Sequence, residues 1–109
     1  MSNIPALKAE RYYVYPSEGE PYEARLLWGD NLRAELEGNK RGVKAQAQPF
    51  LFLTLTCWAH AVRTGLTTDK FDAWHQQVAD IVDAAKADKR AGLAADDDAA
   101  DDDGTAGPT

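Results

Sequence analysis

Residues 49–63, Pro-Phe-Leu-Phe-Leu-Thr-Leu-Thr-Cys-Trp-Ala-His-Ala-Val-Arg, form the most apolar stretch of the chain and constrain its fold more than any other feature. Pro49 suits the first turn of a helix, where the N–H it lacks would have no partner. At about 100° per residue, Phe50, Leu51, Leu53, Leu55, Cys57, Trp58, Ala61 and Val62 cover well over half of such a helix. Thr56, His60 and Arg63 mark its polar side. A helix this apolar must be covered from several directions, so residues 49–64 are expected at the centre of a domain. Phe52 is the exception, because its direction sets it beside Thr56 and Arg63. The chain has 109 residues, which suits one domain around that helix.

The covering elements are legible on both sides. Arg11-Tyr-Tyr-Val-Tyr15 is dense in aromatic and β-branched residues, which favour strands. After the turn segment Pro16–Pro21, Tyr22, Ala24, Leu26 and Trp28 alternate with Glu23 and Arg25, as in a half-buried strand. The two predict a hairpin over 11–28, which is marginal alone and must pack on helices. Gly29-Asp30 ends it, and Asp30 is a candidate N-cap for a helix over 30–41. Leu32 and Leu36 give that helix a thin apolar stripe for docking, Glu37 and Arg41 an i,i+4 charge pair, and Gly42 a C-cap. Residues 43–48 read either as a linker or as an extension of a neighbouring helix. Beyond Gly65, with Thr68 as N-cap, Phe71, Trp74, Val78, Ile81 and Ala85 recur at spacings of 3 and 4. That seam predicts a third helix over 69–89, closed by Gly92. The fold class expected is therefore mainly α, in the α+β sense: a short N-terminal β-hairpin on about three helices. A flexible stretch is expected over 1–10, a single α-rich domain over 11–90 and a disordered acidic tail over 91–109.

Charge narrows the function. The net charge is −6, yet Asp96–Asp98 and Asp101–Asp103 place six acids in one run. Setting that run aside leaves twelve acidic and twelve basic residues, so the folded part carries no strong field. Nucleic-acid binding, which needs a concentrated basic face, is not expected. The tail reads first as a solubilising segment and next as an interaction tail for a basic partner. A single cysteine, Cys57, cannot form an intramolecular disulfide. Neither a secretory leader nor a membrane span is expected, since the apolar run from Pro49 to Leu53 is far short of the ~20 residues a span needs.

Candidate chemistry is sparse. Cys57 and His60 stand three apart on one helix, but His75 is the remaining histidine and lies on another element, so no metal ligand set is completed. Cys57 reads as a small buried hydrophobe rather than as a nucleophile. The eight glycines are scattered at turns and in the tail, without the spacing of a phosphate loop. The acidic run lacks the glycine turn and terminal Glu of a calcium loop. No enzyme activity, cofactor or metal is expected. Trp58 and Trp74 read as core. The residues singled out for partner contact are Phe52, Thr56 and Arg63 on the central helix, with Phe71 and Trp74 on the seam if it is incompletely covered.

The order of these features carries a resemblance. Leu-Leu-Trp-Gly-Asp-Asn-Leu-Arg-Ala-Glu-Leu-Glu (26–37) leads into the basic turn Asn39–Gly42. The Trp-containing apolar helix then ends in Arg-Thr-Gly at 63–65, and Phe71, Trp74, Val78 and Asp80-Ile81 follow before an acidic end. Over roughly residues 11–85 this pattern resembles the tail assembly chaperones of siphoviruses of actinobacteria. The resemblance implies a protein that binds the tape measure protein, a long, helical, hydrophobic client, before the tail tube polymerises around it. It also implies a longer form of the same chaperone made by programmed frameshift, a place in the host cell cytoplasm, and absence from the mature virion. Self-association is compatible with it. The competing readings are a head–tail connector or tail-terminator component of the virion, and a small acidic inhibitor docking on a host protein.

Overall fold

The computed structural model describes residues 3–7 and 9–96. Strand β1 (Glu10–Pro16) pairs antiparallel with β2 (Tyr22–Leu26), with Tyr12 opposite Ala24 and Val14 opposite Tyr22. This is the expected hairpin. Period-2 alternation turns Val14, Ala24 and Leu26 into the core, with Tyr12 and Tyr22 packed beside them. Helix α1 (Trp28–Arg41) follows, then a turn over 43–48, then α2 (Pro49–Arg63), so those linking residues join neither helix.

The expectation of one helix over 69–89 is not met. A single helical turn, α3 (Phe71–Trp74), passes through a short 3-10 segment into strand β3 (Val78–Asp83) and then helix α4 (Ala84–Asp96). β3 pairs antiparallel with the free side of β1, Val14 opposite Ile81 and Tyr13 opposite Val82, giving the order β2-β1-β3. Two forces override the helical spacing here. Val78, Ile81 and Val82 are β-branched and lose little in a strand. β1 also presents an unpaired row of backbone groups that a third strand satisfies. Val78 and Ile81 still reach the core, but from the sheet. α4 begins where the Asp83 carboxylate accepts the Lys86 N–H at 3.0 Å, and it continues through Gly92, which does not end it. Residues 91–96, assigned to the tail, thus belong to a helix, and the rest of the expected acidic tail lies outside the described residues.

α2 sits between the sheet and α1, and Leu55 through Ala61 are buried without a break. Seven consecutive buried residues span almost two turns, which requires neighbours on all sides. α4 is held to the opposite face of the sheet by Asp88, which accepts bonds from Tyr13 Oη (2.7 Å) and Arg11 Nη2 (3.0 Å).

Candidate functional site

α1 starts two residues before the expected cap. Asp30 lies inside its first turn and reaches back, its Oδ2 accepting the Leu27 N–H at 2.9 Å. The same carboxylate is buried and takes two bonds from Arg63, from Nε at 2.8 Å and from Nη2 at 3.0 Å. Burial alone would push the Asp30 carboxyl up, but the Arg63 guanidinium and the Leu27 N–H outweigh it and hold it below the usual carboxylate range. Arg63 Nη2 also reaches the Arg25 carbonyl, so one side chain joins the start of α1, the end of α2 and β2.

Asp30, Ala34 and Gly38 are the buried residues of α1, spaced i, i+4, i+8 on the face toward α2. Their small size lets the helices approach closely. A Cβ on Gly38 would lie 3.3 Å from the Val43 carbonyl oxygen and 3.6 Å from Leu55 Cδ1. Gly42, at φ 73°, closes the helix as expected, and the Val43 N–H bonds the Gly38 carbonyl at 2.8 Å. Arg41 pairs with Glu37 as expected and reaches Asp72 at 2.8 Å, tying α1 to α3.

The apolar stripe of α1 therefore faces water. Trp28 is 78 % exposed, Leu32 47 % and Leu36 65 %, and their i, i+4, i+8 spacing puts them on one side of the helix. Beside the stripe is an open depression of about 390 Å3 lined by Gly29, Leu32, Arg33, Leu36, Ala59 and Arg63. Arg33 covers its neighbour Trp58, with the guanidinium carbon 5.3 Å from the ring centroid. Three large apolar side chains in a row on an exposed helix form the kind of patch that marks a contact surface.

The residues singled out from the sequence lie elsewhere. Thr56 is buried, its hydroxyl donating to the Phe52 carbonyl at 2.9 Å, and Phe52 is half-buried against the core. Arg63 is engaged by Asp30. Phe71 and Trp74 are buried, Phe71 edge-on to Trp58 at 6.0 Å. Phe52, Thr56 and Arg63 share a face of α2 by their spacing, but Thr56, Phe71 and Trp74 are buried and Arg63 is bonded to α1, so the five do not assemble into an exposed site. Leu32 and Leu36 were assigned to packing, and Trp28 to the strand. The signal for their exposure is the Ala34–Gly38 pair, small residues at helical spacing on the opposite side.

A second hollow, of about 600 Å3, opens between the first turns of α2 and β3, with Phe50, Leu51, Phe71, Val78, Asp80 and Ile81 in its lining. Cys57 is buried, and burial pushes its thiol up to about 12, which leaves it protonated and unreactive at neutral pH. His60 is buried as well, stacked on Tyr22 at 6.2 Å, with no partner for its Nδ1 among the described residues. Among the described residues no group of three His, Cys, Asp or Glu side chains could hold a metal, and no helix is long and apolar enough to cross a membrane. Compared with known proteins, the chain matches no protein family, no curated protein and no solved structure.

Proposed function

We propose that this chain is a tail assembly chaperone, a binding protein that captures an apolar helical stretch of a tape measure protein and keeps it soluble until the tail tube closes around it. The observation that supports the reading is the stripe Trp28–Leu32–Leu36, left exposed on a helix that is fastened from behind. A helix anchored on one side and apolar on the other offers i, i+4, i+8 anchors to a second amphipathic helix. Aromatic and aliphatic anchors on a rigid element supply most of the energy of such contacts, with Trp28 as the largest. The partners that follow are the tape measure protein and the longer frameshifted form of the chaperone, in the host cell cytoplasm and outside the mature virion.

The test is co-expression with the tape measure protein encoded nearby. The client is expected in the soluble fraction with the wild-type chain. With Trp28, Leu32 and Leu36 all changed to serine, it is expected in the pellet while the chaperone itself stays folded. A client that stays insoluble with the wild-type chain would overturn the proposal. Detection of the chain in purified virions would favour the connector reading instead.

A further inference from the structure

β3 is an edge of the sheet, and the row of backbone groups on its side away from β1 meets no strand among the described residues. The Ile81 N–H donates to the carboxylate of exposed Asp80 (Oδ1, 2.8 Å), which sets it on that open side. In an antiparallel ladder the N–H and C=O of alternate residues point the same way, so the Ile81 carbonyl is on offer there too. Directly beside this edge lies the hollow of about 600 Å3, within the size range of sites that hold a ligand. Its lining is mostly apolar, with Phe50 (76 % exposed) at the rim and Leu51, Leu53, Phe71, Val78 and Ile81 further in, and the polar side chains of Gln48, Thr54, His75 and Asp80 among them.

Charge selects what can lie there. Among the described residues Asp80 is the one carboxylate in the lining, with His75 as the other titratable side chain and no Lys or Arg beside it. β3 itself, Val-Ala-Asp-Ile-Val-Asp, carries two acids and no base. A second copy pairing edge to edge would bring the acids of both strands into one seam with no base in either strand, so the charge guards the edge against self-association. A strand carrying Lys or Arg meets no such repulsion.

We propose that the β3 edge and the adjoining hollow form a binding site for an extended segment of another protein in which apolar residues alternate with Lys or Arg. The segment adds as a fourth strand beside β3. Alternate side chains enter the hollow between β3 and the start of α2, and a basic side chain at its rim takes the Asp80 carboxylate away from the Ile81 N–H, which then bonds the incoming backbone. This site is separate from the α1 stripe and stands whether or not the stripe binds a helical client.

The probes are fluorescein-labelled heptapeptides in which Val, Leu or Phe alternates with Lys, together with a matching series carrying Glu. Binding to the full chain is followed by fluorescence anisotropy and by amide hydrogen exchange. At least one Lys peptide is expected to bind, at least tenfold more tightly than its Glu counterpart, and to slow exchange of the Ile81 amide. In Asp80→Lys, an exposed change, the preference should invert, and in Asp80→Asn it should shrink toward equality. Four results overturn the proposal: no binding by any peptide, equal binding by both series, protection confined to α1, or a wild-type chain that already dimerises through β3.

Discussion

Along α1, Asp30, Ala34 and Gly38 face α2 while Trp28, Leu32 and Leu36 face solvent, so the face that fastens the helix carries far less apolar surface than the face left free. An ordinary surface helix has the reverse arrangement. The fastening face works through close approach and one ion pair whose carboxylate is buried, both of which need few atoms placed well. The free face leaves its three large side chains open to water. Hydrophobic content alone therefore does not identify the packing face of a helix, because small residues on the opposite side can compete for that role.

Breaking the fastening face should give the largest effects. Arg63→Ala leaves Asp30 buried without its cation and is expected to cost about 3 kcal/mol in denaturant unfolding, the low end for breaking a buried pair because Arg63 is itself part-exposed. Asp30→Ala leaves a guanidinium that can turn to water, so it should cost less, and the double variant should recover part of the Arg63 loss. Equal costs for the two single changes would show that the pair is not asymmetric. Ala34→Leu comes next, at about 2 kcal/mol, from overpacking a position with no free space. A neutral result there would mean that α1 and α2 are loosely joined.

Acid should separate the same face from the rest in two steps. His60 has its pKa lowered by burial and then by Arg63, so the folded state binds its proton less readily than the unfolded chain. That contribution is fully present above the ordinary histidine value of 6.5 and is lost as pH falls from there through the lower folded value. Asp30, with its folded pKa below 3.8, adds a second loss only as pH falls through that more acidic range. Unfolding midpoints measured from pH 7.5 to pH 3 should fall in both windows, and His60→Gln should remove the upper one.

The free face should barely register in the same assays. Trp28→Ser, Leu32→Ser and Leu36→Ser are each expected within about 0.5 kcal/mol of wild type, the usual range for surface positions. A loss of 2 kcal/mol or more at Leu32 would show that the stripe packs within the chain and is not free.

The sequence made the hairpin and α2 legible because each has one dominant signal: strict alternation over Tyr22–Leu26, and an apolar circumference over Pro49–Arg63. Residues 69–89 were misread because Phe71, Trp74, Val78 and Ile81 satisfy a helical period by position alone. What decides Val78–Asp83 is the unpaired edge of β1, more than 60 residues earlier in the chain, which no local pattern reports. The burial of the contact candidates is illegible in the sequence for a related reason. Thr56 and Arg63 look like a polar face on an isolated α2, and only the structure shows the Thr56 hydroxyl turned to the Phe52 carbonyl and Arg63 taken by Asp30.

Trp28 supplies the most direct measurement. Of the three tryptophans, Trp58 and Trp74 are each 6 % exposed and Trp28 is 78 % exposed, so acrylamide should quench chiefly Trp28 in the free chain. Quenching is then repeated with a saturating amount of an amphipathic helical fragment of the tape measure protein. Loss of the quenchable component, absent from the start in Trp28→Phe, is the result expected if the stripe holds the client. A complex that forms while Trp28 stays fully quenchable would contradict it.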